Sequence, residues 1–279
     1  MRSGRGVGGV AASVGLGTPA TAERKAEAHD DFGFDANLRQ LVLPVFRFLH
    51  DRYWRVEVTG ARNVPPDGPA LLVSNHSGAI PFDGAMIATA VETHCDRRLR
   101  FLYDRFVEAL GPVAAFYRKV GGAVAHREAA LELLQAGEPV LLFPEGVPGV
   151  AKPFSDRYRL RPFSAGFARL ALSLDVPIIP VAVVGAEEIY PMVGRLESIG
   201  RKLGMPYLPL TPFFPLLGPL GALPLPTKWF IRFGKPIRLT PVEGEVRAQR
   251  ARIEAVRVRR RVQAMVRRLQ RQRRSVFFG

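Results

Sequence analysis

Cysteine is almost missing from this 279-residue chain: Cys95 is the only one. That excludes an intrachain disulfide framework and any multi-cysteine zinc site, and it fits a reducing compartment. Long apolar runs are missing too. No stretch of about 18 residues is apolar throughout and free of helix breakers, as a spanning helix would need. The nearest, residues 205–226, carries Pro206, Pro209, Pro212, Pro215, Pro219, Pro224 and Pro226, a density no single helix tolerates. An irregular backbone cannot cross lipid with its peptide groups unpaired, so this segment is expected to pack on the protein or to dip into an interface. Acidic residues are scarce beside basic ones, 25 against 40, for a net charge of +15. The excess is concentrated: residues 245–279 hold twelve Arg and two Glu, which leaves +5 for the other 244 residues. A negative partner such as anionic lipid is implied for that segment and not for the body.

Hydrophobic residues make up 47% of the chain and charged residues 23%, values of a folded globule with a sizeable core. Residues 1–30 are rich in Gly and Ala without an aromatic and read as a disordered extension, since the apolar stretch from Val7 is too diluted by Gly and Ser for a signal-peptide core. Residues 31–54 read as an amphipathic helix, interrupted and kinked at Pro44, with Leu38, Leu41, Val42, Val45, Phe46 and Leu49 on its apolar face. Residues 55–244 form the main domain. Apolar runs at 70–74, 122–125, 140–143 and 176–184, with a first strand at 55–58 and a late one at 229–232, alternate with helical patterns at 82–93, 103–117, 127–136 and 162–174. That alternation predicts an α/β fold with a mostly parallel central sheet flanked by helices. Residues 245–279 read as a basic amphipathic helix with Ile253, Val256, Met265, Val266 and Leu269 on its stripe. It either packs on the domain or lies on an anionic membrane surface. No helix-turn-helix, zinc-finger or RNP signature points to nucleic acid.

The chemistry concentrates at three strand ends. Asn75 and His76 follow the run 70–74, and Asp83 opens the next helix, where ligands of open α/β sheets bind. The carboxylate can fix the imidazole tautomer and leave the other nitrogen as a base; an ordinary imidazole titrates at about 6.5, which suits proton transfer at neutral pH. Alone, a His and an Asp in one loop fit a structural hydrogen bond equally well. Glu145 and Gly146 follow the run 140–143, with Lys152, Arg157, Arg159 and Arg161 beyond them, and Arg127 ends the third run. A base, an acid and several cations suit an anionic acceptor whose hydroxyl is to be deprotonated. Ser77 beside His76 lacks the Gly-x-Ser-x-Gly elbow of an α/β-hydrolase, and Gly146 to Lys152 lacks P-loop spacing. His29, His50 and Cys95 carry no assigned role.

Together these motifs resemble the glycerol-phosphate and lysophosphatidic-acid acyltransferase (PlsC-like) family. Asn75-His76 with Asp83 is similar to its first motif, Gly122 to Arg127 to its second, Phe143-Pro-Glu-Gly146 to its third and Val176-Pro-Ile-Ile-Pro-Val181 to its fourth, in the family's order. Three features depart from it, the first being His126 in the place of the acidic residue that often precedes the second-motif Arg. Six residues separate His76 from Asp83 where the family has four, which resembles a divergent branch that includes neutral-glyceride acyltransferases. Val147-Pro148 stands where the third motif continues Thr-Arg, so the cation there has to come from Lys152 or the later arginines. The resemblance implies a PlsC-like fold and direct O-acyl transfer, with His76 as base and Asp83 as its orienting partner. Arg127 and Lys152 would hold a phosphate, with Glu145, Gly146 and Asn75 around the acceptor. It implies no metal or cofactor, an acyl-CoA or acyl-carrier-protein donor, membrane lipids as partners, and a peripheral or monotopic place on the cytoplasmic face of a membrane. The alternatives are an acyltransferase for a neutral glyceride, or a catalytically degenerate lipid-binding member, against which the presence of both His76 and Asp83 argues. Acceptor identity, acyl-chain length and oligomeric state stay open.

Overall fold

The computed structural model describes residues 32–77, 80 and 82–279; the extension expected over 1–30 lies outside them. Seven strands form one sheet in the order β1-β9-β6-β2-β5-β3-β4. They are β1 (Glu57–Thr59), β2 (Ala70–Ser74), β3 (Arg100–Tyr103), β4 (Gly122–Val124), β5 (Pro139–Leu142), β6 (Ile178–Val184) and β9 (Phe230–Phe233). From β6 to β4 every neighbouring pair is parallel, and β9 turns antiparallel to β6 with β1 parallel to β9. A small hairpin, β7 (Gly194–Leu196) with β8 (Leu208–Leu210), stands apart.

The central strands are apolar throughout because both faces of the sheet are covered. All five residues of β2 and all seven of β6 are buried. Along β6 the side chains alternate: Ile178, Ala182 and Val184 join one core layer, Ile179, Val181 and Val183 the other. On the second face lie α1 (Ala36–Phe48) and α2 (Phe82–Cys95). On the first face lie α4 (Arg127–Gln135), α6 (Gly166–Leu174) and α8 (Glu245–Gln272), while α3 (Pro112–Lys119) covers the β3–β4 edge.

Helix α1 starts where Asp35 caps it, accepting from the backbone N–H groups of Asn37 and Leu38 at 3.1 Å each. It runs through Pro44, and a wider π turn, Leu49–Tyr53, follows. Gln40, whose carbonyl loses its partner at Pro44, lies on the exposed side with it, so water can satisfy that group. The basic helix α8 completes the core. Its buried stripe is Ala251, Ala255, Val258, Val262, Val266 and Leu269, while Ile253 and Val256 of the expected stripe are exposed. Small alanines let the helix approach the sheet and leave the arginines in water. The helix expected over 103–117 is instead the end of β3, a 3₁₀ turn (Arg105–Leu110) and α3. Gly111 breaks it, at φ +37° ahead of Pro112.

Candidate active site

The C-terminal ends of β2, β5 and β4 open on one edge because these strands run parallel. His76 leaves β2 there. Its Nδ1 lies 2.8 Å from Asp83 Oδ2, at the start of α2. Asp83 is fully buried, and its carboxylate also accepts from the N–H groups of Ser77 and Gly84 at 2.8 Å each. A carboxylate held in this way accepts the Nδ1–H proton and leaves the Nε2 lone pair for chemistry. The Phe143 ring stacks on the imidazole with centroids 4.0 Å apart and an interplanar angle of 17°, which fixes the ring plane. Phe143 stood inside a recognised motif, yet nothing in the sequence assigned it this contact.

His76 opens onto a cavity of about 680 Å³, within the range of ligand sites. Its walls are largely aromatic and aliphatic, with Phe82, Phe101, Tyr103, Phe106, Phe116 and Tyr117 among them. Burial pushes the hydroxyls of Tyr103 and Tyr117 up to about 12, helped by Glu108 and by the Asp83 charge respectively. Both are therefore neutral at physiological pH; besides His76, Asp104 and His126 also line this wall.

Arg127, exposed at the first turn of α4, lines the same cavity, as do Gly146 and Arg169. His126 caps that helix, its Nδ1 accepting from the Ala129 N–H at 3.1 Å. Arg39 is also in the wall, but it is spent on Glu92 at 2.6 Å and on the Val120 carbonyl at 2.9 Å.

The remaining expected site residues stand behind the cavity. Asn75 is fully buried; its amide donates to the Val183 carbonyl at 3.1 Å and its Oδ1 accepts from the Val183 N–H at 2.9 Å. The side chain thus continues the β2–β6 ladder and sets where the chain turns toward His76. Glu145 accepts from the His76 N–H at 2.9 Å through Oε1 and from the Arg161 N–H at 2.6 Å through Oε2, so it braces the loop that carries His76 and is not part of the cavity wall. Lys152 is also outside the wall of this cavity. It is buried, with Nζ 2.9 Å from Glu187 and 3.5 Å from Glu145. The later arginines are engaged elsewhere. Arg159 and Arg161 face Asp156, and Arg157 lies over the Phe154 ring at 4.3 Å.

Two residues that the sequence did not single out complete the arrangement. Glu187, buried after β6, accepts from Lys152 and, at 2.8 Å, from the Tyr158 N–H. Gly149 lies so close to the site that a Cβ there would stand 2.7 Å from Glu145 Cβ and 3.1 Å from His76 Cβ. The available signals were faint: an acidic pair closing an apolar strand, and a second glycine just after Gly146.

Residues 55–184 match the family model described as Acyltransferase. An uncharacterized protein of Mycobacterium tuberculosis is 42% identical over 257 residues, covering 90% of this chain and 72% of its own. The chain belongs to the PlsC-like acyltransferase family. A human protein, the DGAT1/2-independent enzyme synthesizing storage lipids, is 28% identical over 171 residues, covering 60% of this chain and 52% of its own. The crystal structure of the 1-acyl-sn-glycerophosphate (LPA) acyltransferase PlsC from Thermotoga maritima superposes with a TM-score of 0.54 at 20% identity, covering 90% of this chain and 88% of that one. That likeness confirms the PlsC acyltransferase fold, with its mostly parallel sheet flanked by helices. The first three family motifs fall at the C-terminal ends of β2, β4 and β5, and the fourth runs into the first half of β6.

Proposed function

We propose that this PlsC-like protein moves a fatty acyl group from a thioester donor, acyl-CoA or acyl-carrier protein, to a hydroxyl of a glycerolipid. The observation that carries this reading is the His76–Asp83 pair at the wall of a large apolar cavity. Nε2 of His76 takes the acceptor hydroxyl proton as the alkoxide oxygen bonds to the thioester carbonyl carbon. Asp83 stabilises the imidazolium, and as the tetrahedral intermediate collapses the thiolate leaves and takes that proton. The apolar walls suit an acyl chain. Arg127 and Arg169 sit where a phosphate on the acceptor would be met by charge-assisted bonds.

The test is thiol release from acyl-CoA, and separately from acyl-carrier protein, by purified protein in mixed micelles. Each is run with no acceptor, with lysophosphatidic acid, and with mono- or diacylglycerol. Release that needs an acceptor supports transfer. Acceptor-independent release shows a thioesterase, and no release under any of these conditions overturns the reading. A second acceptor class, neutral glycerides, is favoured by the withdrawal of Lys152 from the cavity, which leaves fewer cations for a phosphate. Arg127→Ala separates the two. With a phosphorylated acceptor KM rises about tenfold or more, the worth of one charge-assisted contact, whereas with a neutral glyceride KM does not change.

The substrates reside in bilayers, and the surface fits a peripheral place on one. Among the described residues no helix is long and apolar enough to cross a membrane. Leu43 and Phe46 of α1 face the cavity, while Leu41, Val45 and Phe48 form an exposed stripe on the same helix. The proline-rich segment adds Leu216, 82% exposed, and Leu220, 70% exposed, together with Leu217 and Leu223. Its end is tied to the end of α1's π turn, Tyr53 Oη donating to the Pro224 carbonyl at 2.6 Å. Exposed Arg47 and Arg52 flank the patch with the charge that anionic headgroups take. The double substitution Leu216→Glu/Leu220→Glu is expected to weaken co-sedimentation with phosphatidylglycerol vesicles by about tenfold or more, since two leucines no longer bury in lipid. Unchanged binding would remove this face from the proposal.

A further inference from the structure

We propose that Lys152 is a positioning residue for the acyl transfer read above: its ammonium balances two buried carboxylates, so that Glu145 holds the backbone of His76 in place. The proposal rests on that reading of the function. Glu145 and Glu187 approach one another only through Lys152, whose Nζ sits 3.5 Å from the first and 2.9 Å from the second. All three side chains are nearly sealed from water, at 0%, 6% and 2% exposure for Glu145, Glu187 and Lys152. Each carboxylate also receives backbone donors: Glu145 from His76 and Arg161, Glu187 from Tyr158. The catalytic histidine is therefore attached to the protein interior at its ring by Asp83 and at its N–H by Glu145.

Removing one partner from a buried ion group leaves charge without compensation. Without the ammonium, two facing carboxylates remain and the group can persist only by taking up a proton. Burial already pushes the Glu187 carboxyl above the usual range, the Glu145 charge adds to this, and Lys152 opposes both. Other charged groups nearby are committed elsewhere: Asp83 to His76, Arg161 to Asp156, and Arg273 to Glu188. None of them can replace the ammonium. A displaced Glu145 accepts less well from the His76 N–H, and the imidazole moves with its backbone. A role for Lys152 in binding a substrate phosphate does not fit. Its Nζ is committed to two carboxylates, and the residue is not part of the wall of the large cavity.

Three variants separate these roles: Lys152→Met, Glu187→Gln, and the two combined. In Lys152→Met, kcat is expected to fall roughly tenfold to a hundredfold with KM for the acceptor unchanged, the mark of a misplaced catalytic group. The double variant restores the buried net charge of the natural group, −1, without restoring the lysine, and is expected to recover most of kcat. Glu187→Gln alone gives the reference for what loss of that carboxylate costs by itself. An equal loss in Lys152→Met and the double variant, or failure of both to fold, overturns the proposal in favour of packing. A rise in KM in both variants overturns it in favour of substrate binding. A readout independent of turnover is amide exchange in protein labelled with ¹⁵N-histidine, which carries five histidines in all. The His76 amide should exchange slowly in the natural protein and the double variant and fast in Lys152→Met. If the natural protein transfers no acyl group, the functional reading fails by itself; a His76 amide indifferent to Lys152→Met refutes the positioning role by itself.

Discussion

His76→Ala is expected to reduce acceptor-dependent thiol release by about a thousandfold or more, and Asp83→Asn by nearly as much, with both proteins still folded and still binding lipid. General-base transfer contributes about 10²–10⁴ to a rate, and a base with the wrong tautomer loses most of it. The geometry makes the second loss specific. Asp83 accepts from the imidazole and from the Ser77 N–H on the same oxygen, at 2.8 Å each. An asparagine with its carbonyl in that place turns its amide onto the Gly84 N–H, from which the other oxygen accepts at 2.8 Å; turned the other way, its amide faces both Nδ1 and the Ser77 N–H. With the amide toward Nδ1, the ring must accept there and carry its proton on Nε2, the atom needed as the base. Initial rates measured with saturating acceptor would show kcat falling with little change in KM. If either variant kept more than about a tenth of the natural rate, His76 would not be the base, because no general-base term that small fits the range above.

Gly149→Val is expected to give the next largest loss, at least about a hundredfold in kcat, together with about 1–3 kcal/mol of stability from overpacking. The added Cβ would meet Glu145 Cβ at 2.7 Å and His76 Cβ at 3.1 Å. Both are atoms next to the backbone and not the ends of flexible side chains, so the loop itself has to move. The movement acts on Glu145, through which the His76 N–H is held at 2.9 Å. Denaturant midpoints separate the two consequences. Gly149→Ala should lie between the natural protein and the valine variant in both stability and rate. A valine variant with natural kinetics would mean that the loop has room to yield.

Much of the site was legible because its parts are local. His76 with Asp83, Glu145 with Gly146 and Arg127 each sit within a few residues of a strand end, and apolar strands buried on both faces are easy to recognise. The misplacements have physical causes. β3 begins with Arg100, which is fully buried and donates from Nε to the Gly121 carbonyl at 3.0 Å, and a strand that opens on an arginine hides from hydropathy. In α8 the residues facing the sheet include Ala251 and Ala255, while the more hydrophobic Ile253 and Val256 point outward, so size and not hydropathy chose the face. Lys152 was read as a substrate cation because its carboxylate partner Glu187 lies 35 residues away, a distance over which spacing carries no information.

Helix α8 also has a bearing on when this protein becomes competent. Gln263 accepts from the Leu160 N–H at 2.9 Å and donates to the Tyr158 carbonyl at 2.8 Å, and Arg259 donates to the Leu160 carbonyl at 3.0 Å. These bonds hold the segment whose Arg161 N–H meets Glu145 at 2.6 Å. Every strand of the sheet precedes α8 in the chain, so during translation the motif-bearing strands leave the ribosome before the helix that secures their loop. The nascent polypeptide therefore carries the histidine and aspartate for some time without a braced site around them. The loop that carries the histidine is braced from this side only after the arginine-rich helix has docked.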